Sequence, residues 1–401
     1  MRFEREVGSM ENSKMQEIYR YIDAQAEKMQ DLLVELASIE SPSSCKEGVD
    51  LVCERIKKFC DELEMHTKVY QYEKAGNSFT AVMNQNSDKK KIALMGHMDT
   101  VHPVGSFETP IIKKDAEFIY GPGVYDCKGG LVIAMFVCKT LHKFGYSERP
   151  VKLIFSGDEE VGHRNSEGAE IFIEDAANLA LALNCESGLL DGRVIVGRKG
   201  GAGMKLIIEG VSAHSGNAPE KGRSAIREAA YKVIEIEKHT DFNNTTYSCG
   251  LIKGGTVANQ IPDHCEITVD IRVKNQKAAE EARKIMQSIA DTNFVEGTKT
   301  TLIAPAKNAM PMEDNERNRE VFKLFEEASR KVGAILPVPY FSGGGSDAAL
   351  TSAAGVPSLC GLGIRGMDNH SKRERALLSS LTERVKVLTT LIMDYELNSL
   401  E

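Results

Sequence analysis

Apolar residues recur at helical spacing between Met15 and Ile39, at Ile18, Ile22, Met29, Leu32, Leu33, Leu36 and Ile39. This predicts one amphipathic helix, stopped at Ser41-Pro42-Ser43-Ser44. A second stripe, Val49, Val52, Cys53, Ile56, Phe59, Cys60 and Leu63, predicts another helix. Short strands are expected near 67–72, 79–83 and 91–95, the last running straight into Gly96-His97-Met98-Asp99. Gly121-Pro-Gly-Val-Tyr-Asp126-Cys-Lys-Gly-Gly130 then opens a helix whose stripe is Leu131, Ala134, Met135, Cys138 and Leu141. The run Val151–Phe155 reads as a buried strand broken by Gly157 and followed at once by Asp158, Glu159 and Glu160. A helix around 166–178 leads to a strand over 179–183 that ends in Asn184-Cys185-Glu186. Alternating strands and helices predict an α/β fold, a mixed but largely parallel sheet covered on both faces.

Near Gly200 the rhythm changes. Strands over 204–209, 246–252, 265–273 and 298–303, with helices over 223–238 and 278–292, give the order βαββαβ. That is the order of a ferredoxin-like α+β sandwich. The organisation expected is therefore a larger domain in two parts, 1–199 and 307–401, interrupted by a small inserted domain over 200–306. The second part carries a helix over 316–332, the turn Ser342-Gly343-Gly344-Gly345-Ser346-Asp347, a helix over 347–354, a strand over 357–362, a loop with His370 and a last helix over 380–397.

Composition narrows the picture. At 401 residues, with 42% hydrophobic and 27% charged residues, the chain has the make-up of a globular protein of more than one domain. A net charge of −8 without a basic stripe argues against nucleic acid and anionic membrane as partners. No apolar run is long enough to span a bilayer. The first ten residues have no apolar core and read as an unstructured lead or an expression remnant rather than a secretory signal. Nine cysteines, an odd number without a C-x-x-C pair, read as reduced thiols, which points to the cytoplasm.

Chemistry gathers at strand ends. Three consecutive carboxylates where a buried strand leaves the sheet repel one another unless a cation compensates them; a solvated acidic turn is the other reading. His97, Asp126, Glu159, Glu160, Glu186 and His370 all fall just beyond predicted strands or in the loops that follow, the edge where open α/β sheets bind ligands. Two imidazoles and several carboxylates without a cysteine suit a pair of zinc-like ions sharing a carboxylate. A single histidine of this kind is otherwise an ordinary hydrogen-bonded residue. Asp99, two residues after His97, is placed to accept the imidazole N–H and fix its tautomer.

His97-Met-Asp99, the segment from Gly121 to Gly130, Asp158-Glu159-Glu160, Glu186, Ala213-His214-Ser-Gly and His370-Ser-Lys-Arg-Glu374 together resemble the two-zinc aminoacylase/carboxypeptidase family, in order along nearly the whole chain. The glutamate carboxypeptidase branch is the most similar. Cys127 stands where methionine is more usual and reads as packing. The resemblance implies a phosphorylase/hydrolase-like catalytic domain with an inserted dimerisation or lid domain. It implies two Zn2+ per subunit, with Co2+ or Mn2+ able to substitute. Asp126 would bridge the metals, with His97 and Glu186 completing one site and Glu160 and His370 the other. Glu159 would be the general base, taking a proton from a water that bridges the metals. His214, reaching over from a partner subunit, would stabilise the oxyanion. A cis peptide is implied after Asp126.

On the substrate side the resemblance assigns Arg272 to a substrate carboxylate, though a surface ion pair would use the same residue. Asn259 lies in the corresponding lid turn. Gly343, Gly344 and Gly345 would offer backbone N–H groups, unless they are only a flexible turn, and Arg193 is the weaker candidate for a second acidic group. The implied activity is cleavage of an amide or peptide bond beside a free C-terminal carboxylate, on a small peptide or an N-acyl amino acid, by a homodimer joined through the inserted domain. An N-acyl-amino-acid deacylase or a dipeptidase would use the same metal site. A silent binding protein on this fold is the reading from another class.

Overall fold

The computed structural model describes residues 2–304 and 309–395, the side chains of residues 2–12 apart. It forms two compact units. The first takes in the chain up to Val196, then Asp314–Tyr340 and the residues from Ser346 on; the second comprises Gly197–Glu313 and Phe341–Gly345. The Gly-rich turn, expected in the larger domain, thus clusters with the inserted one. The expected boundary at 306 lies outside the described residues.

The first unit runs through α1 (Arg2–Asp23), α2 (Ala26–Ser38), α3 (Lys46–Asp61), β1 (His66–Tyr70), β2 (Ser78–Met83), β3 (Lys91–His97), α4 (Lys128–Lys143), β4 (Val151–Ser156) and β5 (Leu179–Asn184). The second contributes β6 (Met204–Glu209), α5 (Ala225–Glu237), β7 (Thr246–Gly254), β8 (His264–Val273), α6 (Gln276–Asp291) and β9 (Lys299–Ile303). The first resumes with α7 (Glu316–Val332), α8 (Ala348–Ala353), β10 (Ser358–Leu359) and α9 (Ser379–Tyr395).

Six strands of the first unit lie in the order β1-β2-β4-β3-β5-β10. β1, β2 and β4 pair antiparallel, while β4, β3, β5 and β10 pair parallel. The parallel half is buried on both faces, as unbroken runs such as Ile92–Met95 and Val151–Phe155 require. Its strand ends carry the candidate chemistry. α4 starts hard against that edge: a Cβ on Gly130 would lie 1.6 Å from the Cys185 carbonyl oxygen, so only glycine permits this approach.

Several expectations are corrected. The stretch Met15–Ile39 is two helices, not one. α1 ends at Asp23 and α2 begins at Ala26, yet Ile22 and Met29 stay two helical turns apart in sequence, so the apolar period hides the break. The first residues, expected to be unstructured, begin α1. The helix expected over 166–178 shrinks to Glu170–Ile173 and a 3-10 turn at Ala176–Asn178, because Ser166 turns back to bond Asp158. A second, five-stranded sheet has no signature in the sequence. Lys113–Lys114, Phe118–Tyr120, Arg375–Leu377, Arg365–Met367 and Gly188–Leu189 are too short to show alternation, yet two of them hold the His370 loop between them. Residues 396 and 397 of the last expected helix lie outside the described residues.

The second unit is an antiparallel sheet in the order β7-β8-β6-β9 with α5 and α6, the βαββαβ arrangement. A buried cation staples its helices. Lys232 on α5 donates to the carbonyls of Ile289 and Thr292 at the end of α6, at 2.5 and 2.6 Å, and pairs with Glu228 at 3.1 Å. Glu228 in turn accepts the Val295 N–H at 2.6 Å. Lys232→Met should cost about 3–5 kcal/mol, since it leaves Glu228 buried without its cation. Thermal unfolding followed by circular dichroism checks this, and adding Glu228→Gln should restore part of the loss. An unchanged midpoint for Lys232→Met would contradict it.

Candidate metal centre

β3 delivers His97 to the edge of the sheet. Its Nδ1 lies 3.0 Å from the backbone carbonyl of Asp99 and 3.3 Å from Asp99 Oδ1. The backbone oxygen, not the expected carboxylate, is therefore the nearer acceptor. With that nitrogen donating, Nε2 turns its lone pair to Asp126 Oδ1, 3.2 Å away. On the other side of Asp126, Oδ2 faces His370 Nε2 at 3.4 Å and accepts from Asn369 Nδ2 at 2.9 Å. His370 Nε2 also lies 3.2 Å from Glu160 Oε2. The Asp126 carboxylate thus stands between two imidazoles, one to each oxygen, and the Asp126–Cys127 peptide is cis.

The carboxylate of Asp99 has another task. Its oxygens accept the N–H groups of Glu159 and Glu160, each at 3.1 Å, and the Ser43 hydroxyl at 2.6 Å. It anchors the turn that carries the acidic pair and orders that turn against β3.

Ligand-type atoms of His97, Asp126 and Glu160 come within 4.8 Å of one another. Glu160 Oε1 is buried with no hydrogen-bond partner. Burial raises the Glu160 carboxyl, and burial followed by the Glu186 carboxylate pushes Glu159 well above the usual range. Lone pairs converging on one buried point, with an acidic oxygen left unpartnered beside them, are what a divalent cation would satisfy. The residues present fit a metal. Glu186 stands outside the tight cluster: it is buried, and its oxygens accept from Asn184 Nδ2 at 3.4 Å and Cys360 Sγ at 3.8 Å.

The remaining candidates fall elsewhere. His214, Asn259, Arg272 and Gly343–Gly345 belong to the second unit. There Ala213–His214 pairs with Gln260–Ile261, and Ser215 N–H donates to the Asn259 carbonyl at 3.0 Å, so the lid turn and His214 are neighbours. Arg272 is half-buried and pairs with Asp270 at 2.9 Å. Arg198 braces the Gly-rich turn by donating to the carbonyls of Gly344 and Gly345. Arg193 pairs with Asp191 at 2.7 Å and lies over the ring of Tyr340.

His163 escaped the sequence reading. Its ring lies between Asp158, 3.1 Å from Nδ1, and Asp347, 2.6 Å from Nε2, and so joins the acidic turn to the start of α8. Burial opposes charge on this ring, but Asp347 and Asp158 outweigh it and raise its pKa to about 11. His163→Ala should therefore destabilise the protein by about 3–5 kcal/mol near neutral pH. The stabilisation is whole below the ordinary value of 6.5 and is lost as pH climbs through about 11. Unfolding midpoints of parent and variant should accordingly converge between neutral and strongly alkaline pH. A gap that stays constant would show that the imidazolium is not its source.

Residues 93–394 match the model of the peptidase family M20/M25/M40. The chain belongs to this family. It is an M20-family metallopeptidase and a hydrolase, as the resemblance of its motifs implied. Carboxypeptidase G2 of Pseudomonas sp. (strain RS-16) is 29% identical over 76% of this chain and 74% of its own length. The N-formyl-4-amino-5-aminomethyl-2-methylpyrimidine deformylase of Halalkalibacterium halodurans is 24% identical over 96% of this chain and 98% of its own. Among solved structures, the aminopeptidase PepT of Bacillus cereus superposes with a TM-score of 0.78 at 21% identity, covering 92% of this chain and 99% of that one. The fold is thus the mixed α/β fold of M20 peptidases. Among the described residues, no helix is long and apolar enough to cross a membrane.

Proposed function

We propose that this M20 peptidase is a dizinc exopeptidase that cleaves an amide or peptide bond beside a free C-terminal carboxylate. The observation that carries the reading is the placement of Asp126, with His97 at 3.2 Å from one oxygen and His370 at 3.4 Å from the other. A carboxylate so flanked is the natural bridge of two ions. His97 and Glu186 would complete one site, and Glu160 and His370 the other; Co2+ or Mn2+ would substitute for zinc. Bound there, the ions would polarise the scissile carbonyl and acidify water.

The chain's own groups do the rest. Glu159, next to a ligand but outside the cluster, takes the proton of the attacking water and hands it to the leaving amine. His214 Nδ1 accepts the N–H groups of Gly216 and Asn217 at 3.1 and 3.2 Å, which leaves Nε2 as a hydrogen-bond donor for the carbonyl oxygen. Arg272, once freed from its exposed pair with Asp270, has the planar fork that grips a carboxylate. Asn259 and the N–H groups of Gly343 and Gly345 add donors, the Gly344 N–H being held by Ser342 Oγ at 3.3 Å, and Arg193 suits an acidic side chain on the substrate.

The active species is proposed to be a homodimer. β7 is an edge strand that exposes Leu251 (60%) and Ile252 (54%), and α5 beside it exposes Ile226 and Ile234 (69%). An open apolar edge of this kind is matched by its own two-fold copy. The free cysteines fit a reducing compartment, the cytoplasm. An N-acyl-amino-acid deacylase is the second reading, favoured by similarity to a deformylase along almost the entire chain. Metal analysis joined to a hydrolysis screen of acyl-glutamyl peptides, dipeptides and acyl-amino acids, with the released amine identified, tests both. Release from acylated amino acids alone would overturn the exopeptidase reading, and an inactive protein holding one metal or none would overturn the dizinc one.

A further inference from the structure

Glu374 lies four residues beyond His370, and its buried carboxylate receives three donors. Oε1 accepts the N–H groups of Tyr125 and Asp126, each at 3.0 Å. Oε2 meets Nε2 of His102 at 2.9 Å. These partners come from different ligand-bearing segments. His102 is on the loop that leaves β3 five residues after His97; Tyr125 and Asp126 are on the segment that carries the shared carboxylate; and Glu374 itself closes the His370 loop. Its own N–H donates to the Ser371 carbonyl at 3.1 Å, and its carbonyl accepts from Gly121 at 3.2 Å. One side chain is thus the point at which all three segments are tied.

The His370 loop needs such a tie. Asp368 and His370 have φ values of 61° and 57°, a left-handed conformation that non-glycine residues keep only when their surroundings hold them there. His370 is half exposed, so burial cannot hold it. Ser371 and Arg375 secure Asp368, at 2.7 and 3.0 Å, but these bonds are local to the loop. Glu374 connects the loop to the backbone of Asp126 and, through His102, to the loop after His97.

We propose that Glu374 is a positioning residue which, together with His102, sets the spacing of His97, Asp126 and His370 and thereby the affinity of the metal centre. The proposal rests on the metal-centre reading given above. It touches neither substrate nor metal and acts through the residues it ties. Partners that orient metal ligands typically govern affinity by about 10–100-fold.

The test titrates zinc into metal-free protein against a chromophoric chelator, for the parent and for Glu374→Ala, His102→Phe and Glu374→Gln. Zinc affinity of at least one site should fall by about tenfold or more in the first two variants. Glu374→Gln keeps an acceptor for the two amides and presents an NH2 to His102, whose ring takes the other tautomer, so it should stay within a few-fold of the parent. Melting of the metal-free chains is followed alongside, because a merely structural role would lower melting yet leave the affinity of folded protein unchanged. Parental affinity in folded Glu374→Ala and His102→Phe overturns the proposal. Should Glu374→Ala fail to fold, His102→Phe decides alone, since it leaves both amides capped. A parent chain that binds no zinc would instead overturn the metal-centre reading, so the two failures are distinct.

Discussion

Glu159→Gln should leave a folded protein that still takes up its metals and turns over about 10²–10⁴ times more slowly, the usual worth of a positioned general base. The geometry sets the expectation. Glu159 begins a 3-10 turn whose first two N–H groups are held by Asp99, so its backbone is fixed beside the cluster without its carboxylate being part of it. Glutamine has the same shape and keeps that backbone bond, but it cannot take up a proton. The neighbouring variant supplies the contrast. Glu160→Gln alters a group with one oxygen facing His370 and the other buried without a partner, so it should release metal as well as activity. Metal content and kcat, measured on the same preparations, separate the two. Near-normal turnover in metal-loaded Glu159→Gln would remove it from the role of base.

Much of this site is readable along the chain, and the reason is local. His97 ends an apolar strand, and the acidic run and Glu186 each begin two residues after one, so period and breaker mark both the strand and the residue it presents. Asp126 is marked by the glycines that let α4 approach the sheet. What could not be read depends on partners far apart in sequence. His102 and Glu374 are 272 residues apart, and His163 and Asp347 are 184 apart. No periodicity couples such pairs; only the packed sheet edge brings them together. The Asp99 carboxylate shows the same limit. Spacing suggested the imidazole two residues away, whereas the fold supplied amides some sixty residues on as its main donors. The strands around the His370 loop leave no signal in the sequence for a different reason. Two or three residues cannot display alternation, and those strands exist because the sheet they join is already there.

His214→Ala should lower turnover by about 10²–10³, the cost of losing one oxyanion donor, with metal content unchanged. The backbone around it gives the mechanism. Two N–H groups directed at Nδ1 fix the neutral ring as an Nε2–H donor, and pairing with Gln260–Ile261 holds the residue on a short strand beside the Asn259 turn. In the proposed dimer, joined through the exposed edge of β7, this donor serves the partner's metal centre. A chain lacking the base and a chain lacking the donor are then complementary. Mixing inactive His214→Ala with inactive Glu159→Gln should restore activity, because one site of each mixed dimer receives Glu159 from one chain and His214 from the other. With independent sites the recovery is at most roughly half of the parental rate per mixed dimer. Native mass spectrometry on differently tagged chains establishes that the mixed species forms, and kcat is then measured on it. A confirmed mixed dimer that stays inactive would return His214 to its own chain's site, and a monomeric active species would remove the shared site altogether.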